Sequence, residues 1–461
     1  MHKSVALQRY LRRHTETGLP SHRFEQPHWL QVVIIPAYRE SPALLKILEQ
    51  MPAASGHTLI ILVLNRPDTD CDLQANAELR MALQSGTLPQ AQRGSVAVKC
   101  LNEHTDLYLH DIELLCGPTP AALGVGLARK SGCDLALQWM VAGGISGQWL
   151  CCTDADANVP QDYFEQLDSA SVDAVAAIFP FQHMPGETQG CNSATALYEL
   201  RLNHYVLGLE YAGSPYAYHT LGSCIAIRAN AYVKVRGFPK RAGAEDFYML
   251  NKLAKIGPIS RLSGQRIQLQ SRHSSRVPFG TGPAVAAIIA AGLPEDAPVF
   301  DHPRCFEALQ ALLASLPELT QSPEAALAPL FVRQGLDATV AKQSDAALQA
   351  LGIRSGLAHC QRQSTSSAQF QRQFHQWFDA FRTLKFIHLM SDAGWEQQSL
   401  TQLKALQSTF WPAGQAASAQ HRATAPQPAP SELRLTAVAG QQTNAHGPLG
   451  RPIKSSLHAS E

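Results

Sequence analysis

The sequence has little of several features that would assign it to a class of protein. Its ten cysteines include no Cys-x-x-Cys pair, which favours buried, reduced thiols in a cytoplasmic protein. Charged residues make up 16% of the chain and the formal net charge is +1, so no strong field favours nucleic acid or an anionic membrane. The most apolar run, at 283–294, is far shorter than the roughly 20 residues of a membrane span. We therefore expect a soluble protein without a transmembrane segment.

Several short motifs are missing as well. No P-loop and no G-x-S-x-G elbow occur, and the basic residues near the amino terminus are not followed by the apolar run of a signal peptide. The Gly-Val-Gly at 124–126 follows no predicted strand and lacks a third glycine. It therefore does not predict a dinucleotide-binding fingerprint.

What the sequence does contain is a regular alternation of apolar runs and helical patterns. The runs typical of buried strands lie at 32–37, 58–65, 96–102, 172–181 and in the stretch that begins at Trp149. Helical patterns separate several of them, which predicts an α/β fold with a mostly parallel sheet flanked by helices.

The composition changes along the chain in a way that predicts four parts. Residues 1–29 are expected to be a loosely ordered lead-in, and 30–283 carry the α/β alternation. Residues 284–411 read as a helical region, with its clearest helix at 369–392. From 412 to 461 Ala, Gln, Pro, Ser and Gly dominate, which predicts a disordered tail.

Polar residues follow three of the predicted strands. They are the segment Pro36–Glu40, Asn65, and the Asp-x-Asp formed by Asp154 and Asp156. Ligands of open parallel sheets bind beyond the carboxyl ends of the strands, so we expect these residues to meet at one rim.

The Asp-x-Asp ends a strongly apolar strand. Two carboxylates so close together repel unless a cation lies between them, and hard oxygen ligands favour Mg²⁺ or Mn²⁺. The alternative is that these acids cap the helix expected near Pro160, although Asn158 could do this alone.

A second acidic pair, Glu245 and Asp246, opens a predicted helix. One interpretation is that these acids only complement the helix dipole. The alternative is that Asp246 is a general base held beside a cleft.

A third group follows the strand predicted at 266–272. Arg272 and Arg276 could clamp a diphosphate, and His273 could be a metal ligand or an ordinary surface residue.

In this order the motifs resemble the family 2 glycosyltransferases of the GT-A fold. The resemblance covers about 30–280 and rests on "PAYRE" at 36–40, "GVGLARKSGCDLAL" at 124–137, "DADANVP" at 154–160 and "GAED" at 243–246. It implies a GT-A-type domain over 30–283 that transfers a sugar from a nucleotide-diphosphate donor, and cell-envelope glycans as a destination.

The resemblance also implies roles for individual residues. A nucleotide-sugar pocket would be lined by matching residues of several segments: Pro36, Ala37, Tyr38, Glu40, Asn65, Arg129, Asp154, Arg272 and Arg276. Asp154, Asp156 and His273 would hold Mn²⁺ or Mg²⁺. Asp246, with Glu245, would be catalytic and deprotonate a hydroxyl acceptor.

The chain also departs from the family pattern. Asn65 stands where the family has an acid, and the Gln/Arg-x-x-Arg-Trp motif of processive synthases is missing. The second departure favours transfer of a single sugar, and inversion is favoured over retention. Two alternatives stay open, a catalytically silent GT-A-like binding or scaffold protein and a nucleotidyltransferase. The expected location is the cytoplasm, with a peripheral position at the inner face of the membrane as the alternative.

Overall fold

A computed structural model of the chain describes residues 5–53, 56–86, 88–186, 188–271, 280–292 and 294–406. Twelve strands lie within these ranges. In chain order they are β1 Gln31–Ala37, β2 Thr58–Leu64, β3 Gln90–Arg93, β4 Val96–Cys100, β5 Thr105–Asp111, β6 Trp149–Cys152, β7 Ala157–Asn158, β8 Ala176–Ile178, β9 Phe181–Met184, β10 Ile225–Arg228, β11 Ile259–Arg261 and β12 Ile267–Gln270.

Seventeen α-helices lie in the same described ranges. The first eight are α1 Val5–Arg13, α2 Leu44–Leu48, α3 Ala77–Gln84, α4 Ile112–Cys116, α5 Gly124–Val141, α6 Gln189–Tyr211, α7 Ala229–Lys234 and α8 Glu245–Ala254. The other nine are α9 Thr281–Ala290, α10 Pro303–Ala314, α11 Leu316–Gln321, α12 Leu327–Arg333, α13 Ala338–Ala350, α14 Ile353–Arg362, α15 Ser367–Trp377, α16 Ala380–Asp392 and α17 Leu400–Ala405.

The described strands form a nine-stranded sheet in the order β11-β8-β10-β6-β1-β2-β5-β4-β3, and a small sheet β7-β12-β9. The centre of the large sheet is parallel, since β1 pairs in parallel with both β2 and β6, and β2 with β5. Strand β10 runs antiparallel between β6 and β8. The carboxyl ends of β1, β2 and β6 therefore meet at one edge.

Both faces of the sheet are buried. Successive residues of β1 alternate between two cores, with Val32 and Ile34 in one and Val33 and Ile35 in the other. The first core includes residues of α5 and α8, and the second includes residues of α2 and α3. A strand covered on both faces must be apolar throughout, which explains the uninterrupted runs in the sequence.

The amino-terminal segment is more ordered than its sequence suggested. Val5–Arg13 forms α1. Its Leu7 and Tyr10 are each 1% exposed and belong to the first core, on the face of the sheet that α5 and α8 cover. Leu7, Tyr10 and Leu11 lie on one helical face. The prediction of a loosely ordered lead-in is therefore wrong for this segment.

The third parallel strand is also not the one predicted. The apolar run near 96 does form β4, but β4 pairs antiparallel with β5 near the edge of the sheet. The parallel neighbour of β2 is β5. The sequence of β5 includes the buried polar residues Asp106, His110 and Asp111. Because of them, β5 is not an apolar run, and its sequence does not predict a buried strand.

The carboxyl-terminal part of the described chain is helical. It forms a separate core in which Phe306, Phe331 and Phe374 are fully buried. The long helix predicted at 369–392 is instead two helices, α15 and α16. They are separated at Asp379, whose side chain caps α16 and also accepts a hydrogen bond from Asn251 of α8 at 3.1 Å.

The structure thus confirms the α/β class, the mostly parallel sheet with flanking helices and the helical carboxyl-terminal region. The predicted disordered tail lies outside the described residues. In the part of the chain that is described, no helix combines the length and the apolarity required to cross a bilayer.

Candidate active site

The rim predicted from the sequence is formed by three parallel strand ends. The backbone N–H of Thr153 donates to Ile34 at 3.1 Å, and that of Asn65 donates to Ala37 at 3.2 Å. Asp154 therefore follows β6 on one side of the end of β1, and Asn65 follows β2 on the other side of β1. The segments that carry Tyr38, Asn65 and Asp154 lie at the same edge of the sheet.

A buried arginine joins two motifs that are far apart in the sequence. Arg129 of α5 donates from Nη2 to Asp154 Oδ1 at 2.5 Å and from Nε to Glu245 Oε1 at 2.9 Å. Its side chain is 3% exposed, that of Glu245 5% and that of Asp154 40%. One guanidinium thus fixes the Asp-x-Asp relative to the start of α8. We call Arg129, Asp154, Glu245 and Asp246 the Arg129 cluster.

Two glycines create the space that this arrangement needs. A Cβ on Gly222 would lie 2.4 Å from Arg129 Nη2, so the guanidinium occupies the room of the missing side chain. A Cβ on Gly126 would lie 2.5 Å from the carbonyl oxygen of Pro239. The Gly-Val-Gly of α5 therefore allows the helix to contact the segment before α8, which brings Arg129 and Glu245 together.

Asp246 lies at the first turn of α8, beside Glu245. Its Oδ1 accepts a hydrogen bond from the backbone N–H of Phe247 at 2.7 Å. Burial, and then the negative charge of Glu245, raise the pKa of Asp246 to about 7, against the lowering effect of Arg129. A carboxyl group with a pKa near neutrality can exchange a proton at physiological pH.

The segment after β1 has a partner that the sequence did not indicate. Tyr38 donates its hydroxyl proton to Asp70 Oδ2 at 2.6 Å, and Arg39 Nη2 donates to Asp70 Oδ1 at 2.8 Å. These hydrogen bonds hold the pKa of Asp70 below its usual range. Asp70 thus supplies an acid near the end of β2, where Asn65 stands in place of one.

Asn76 completes this side of the rim. Its Oδ1 accepts from the backbone N–H of Arg39 at 3.1 Å, and its Nδ2 donates to the carbonyl oxygen of Asn65 at 3.1 Å. Asn76 is 1% exposed. Sequence reasoning missed both Asp70 and Asn76, although acids in the loop after β2 were a visible signal for the first.

The carboxylates at the rim meet only part of what a divalent cation site requires. Asp154 and Asp156 offer hard carboxylate oxygens, and Asp154 is accessible although it also accepts from Arg129. Among the described residues no group of three His, Cys, Asp or Glu side chains could hold a metal ion. Magnesium is often held by only one or two carboxylates, with substrate phosphates and water as its other ligands.

The remaining predicted residues divide into two groups. Pro36, Ala37 and Glu40 lie at the rim with Tyr38. Arg272, His273 and Arg276 lie outside the described residues, so their predicted roles stay predictions.

The chain matches no protein-family model and no curated protein sequence. Among solved structures it is similar to the mannosyltransferase PcManGT from Pyrobaculum calidifontis in complex with GDP-Man and Mn²⁺. The sequence identity is 16%, over 85% of this chain and 93% of that chain, and the TM-score is 0.33. A likeness this low supports no conclusion about activity.

Proposed function

We propose that the chain is a glycosyltransferase of the GT-A type, similar to family 2. It transfers a single sugar from a nucleotide-diphosphate donor to a hydroxyl acceptor, with inversion. The observation that carries this proposal is the double contact of Arg129, which brings Asp154 and Glu245 to one point of the rim. These two residues belong to the two motifs on which the resemblance to the family depends.

The donor would occupy the rim beside the strand ends. Tyr38, oriented by Asp70, and Asn65, held by Asn76, would line the nucleotide pocket with Pro36, Ala37 and Glu40. The guanidinium of Arg129 donates a charge-assisted hydrogen bond to Asp154. It would therefore fix the carboxylate that faces the nucleotide sugar. Arg272 and Arg276 are proposed to contact the diphosphate.

Asp246 is proposed as the general base. Its raised pKa, near 7, matches the requirement that a base be deprotonated yet still able to take a proton. Glu245 was predicted to be catalytic with Asp246. Because it is nearly fully buried against Arg129, we assign it a positioning role: its charge raises the pKa of Asp246, and its ion pair holds the start of α8.

Mn²⁺ or Mg²⁺ would be held by Asp154 and Asp156, with His273 as the further candidate ligand. When bound, the ion would neutralise charge on the departing nucleoside diphosphate. The protein's own contribution is the orientation of Asp154 by Arg129, which does not depend on the ion. The domain bounds and the cytoplasmic location stay predictions.

The decisive experiment measures hydrolysis of a panel of nucleotide sugars by the full-length protein with Mn²⁺, before and after addition of EDTA. A glycosyltransferase should hydrolyse one donor slowly without acceptor and lose this activity with EDTA. Release of pyrophosphate from a nucleoside triphosphate and a sugar phosphate would instead indicate a nucleotidyltransferase. Binding of donor without any turnover would indicate a silent scaffold protein.

A further inference from the structure

A second group of charged residues surrounds a cavity outside the Arg129 cluster. The cavity has a volume of about 440 Å³. It is formed where the end of α1 and the residues after it meet α5, α8 and the segment that follows α7. Five basic side chains and one acidic side chain line it: Arg13, Lys130, Arg236, Lys240, Lys252 and Glu16. We call it the basic cavity.

The cations of the basic cavity outnumber the acids that pair with them. Lys130 donates to the buried Asp134 at 2.8 Å, and Lys240 pairs with Glu16 at 3.3 Å. Among the described residues, no carboxylate lies within ion-pair distance of the three other cations, Arg13, Arg236 and Lys252. The nearest acceptor of Lys252 is neutral, the carbonyl oxygen of Gly237 at 2.6 Å. The basic cavity therefore has an excess of positive charge.

The pKa values of two neighbouring groups report the same excess. Burial, and then the charges of Lys130 and Arg236, lower the pKa of Lys252 to about 8. Burial, and then Arg236 and Lys130, also lower the pKa of His14, which lines the same cavity. A bound anion would relieve this repulsion and favour the charged form of Lys252.

Arg236 has a backbone conformation that its residue type disfavours. Its φ is +64°, and it is the second residue after the end of α7. Glycine or asparagine is preferred at such a left-handed position. Residues in disfavoured backbone conformations cluster at active sites, ligand clamps and switch regions. Arg236 lines the basic cavity.

We propose that the basic cavity binds a small phosphate-bearing anion. Three cations without carboxylate partners are enough to balance the two negative charges of a phosphate dianion, and guanidinium and ammonium groups are the usual phosphate donors of proteins. The volume lies in the range of small-molecule sites, so it can hold a phosphate together with a small organic group. This inference does not depend on the proposed transferase activity.

The test is calorimetric titration of the full-length protein at pH 8 with inorganic phosphate, with glucose 6-phosphate and with glucose. Both phosphate compounds should bind at one shared site, and glucose should not bind. Tighter binding of glucose 6-phosphate would identify an organic phosphate as the ligand, and equal binding would identify free phosphate. Absence of binding by both phosphate compounds would overturn the proposal.

Variants locate the binding in the basic cavity. Arg236→Asn keeps a residue that tolerates positive φ, and Lys252→Met keeps an unbranched side chain. Each should weaken phosphate binding about tenfold, the effect of losing one charge-assisted hydrogen bond. Lys234→Gln removes an exposed lysine that does not line the cavity and should change nothing. If phosphate binds Arg236→Asn as tightly as the parent, at equal thermal unfolding midpoints, the site is elsewhere.

Proton uptake gives a second readout. Lys252 faces Lys130 of α5, His14 and Glu16 after α1, and Arg236 after α7. Since a phosphomonoester is already a dianion at pH 8, any proton taken up on binding must enter the protein. Binding enthalpies in two buffers of different ionisation enthalpy should differ for the parent and agree for Lys252→Met. Equal enthalpies for the parent would contradict binding next to Lys252.

Discussion

Two neighbouring residues of α5 lie in opposite electrostatic surroundings. Within the described ranges, Arg129 is a single cation among three carboxylates, those of Asp154, Glu245 and Asp246. Lys130 lines the basic cavity, where five basic side chains are accompanied by one acid. The Arg129 cluster therefore has an excess of negative charge and the basic cavity an excess of positive charge, although they share two helices, α5 and α8.

The direction of the pKa shifts follows from this difference. In the Arg129 cluster the pKa of Asp246 is raised, and in the basic cavity the pKa of Lys252 is lowered. Both shifts favour the neutral form, because burial and like charges oppose ionisation. A cation beside Asp246, or a proton taken from the acceptor, would offset the negative charge of the Arg129 cluster. An anion beside Lys252 would offset the positive charge of the basic cavity.

The largest expected effect concerns the base of the Arg129 cluster. Asp246→Asn removes the group that accepts the proton and should lower sugar transfer by about 10²- to 10⁴-fold. Donor binding, measured by calorimetry, should stay close to that of the parent. The exposed Asp173→Asn is the matched control and should transfer sugar normally. Full sugar transfer by Asp246→Asn would show that Asp246 is not the general base and that the negative charge of the Arg129 cluster has no catalytic role.

The next effect concerns the stability of the same cluster. Arg129→Met leaves Glu245 buried without a cation, and loss of one partner of a buried ion pair costs about 3–5 kcal/mol. The control is Arg261→Met, which breaks the exposed pair with Glu210 and should cost less than about 1 kcal/mol. Denaturant unfolding measures both. Equal free energies of unfolding for the two variants would show that Arg129 is not the centre of the cluster.

The sequence predicted the residues of the Arg129 cluster but not their contacts. Asp154 and Asp156 could be recognised because aspartate is unfavourable at the end of an apolar strand. Arg129 was expected to touch the nucleotide. Its ion pair with Glu245 could not be foreseen, because it depends on how closely α5 approaches the segment before α8, at Gly126. Close approach of two backbones leaves no periodic signal in the sequence.

The basic cavity could not be predicted from the sequence at all. Its cations come from residues 13 to 252, and each of them alone resembles an ordinary surface lysine or arginine. The segment that contributes Arg13 was expected to be loosely ordered, yet burial of Leu7 and Tyr10 fixes α1 against the core. The acidic site could be predicted because its motifs are local, whereas the basic cavity exists only through packing.

The two regions should respond to pH in different ranges. The pKa of Asp246 in the folded state is about 7, above its ordinary value of 3.8, so the folded state keeps this proton to higher pH. Stability is favoured at low pH and falls as the pH rises from about 4 to 7. Relative to the parent, Asp246→Asn should therefore gain up to about 4 kcal/mol across this range. A constant difference between parent and variant would contradict the raised pKa.

The corresponding range for the basic cavity lies at higher pH. The pKa of Lys252 is lowered from 10.5 to about 8, so its charge destabilises the folded state below pH 8, and this penalty disappears as the pH rises to about 10.5. Relative to Lys252→Met, the parent should gain up to about 3 kcal/mol over this range. Urea unfolding of both proteins across the range measures the gain. A gain confined to acidic pH would show that the lysine is not in a cationic environment.

The smallest effect tests the single acid of the basic cavity. Glu16 pairs with the partly exposed Lys240, so Glu16→Gln should change the free energy of unfolding by less than about 1 kcal/mol. The same change removes a negative charge that competes with a bound anion. Phosphate affinity should therefore rise about threefold, or roughly 0.6 kcal/mol. The exposed Glu165→Gln is the control and should leave the affinity unchanged. Weaker phosphate binding by Glu16→Gln would contradict this expectation. It would show that Glu16 orients Lys240 towards the ligand, and that the basic cavity has less unpaired positive charge than its ion pairs indicate.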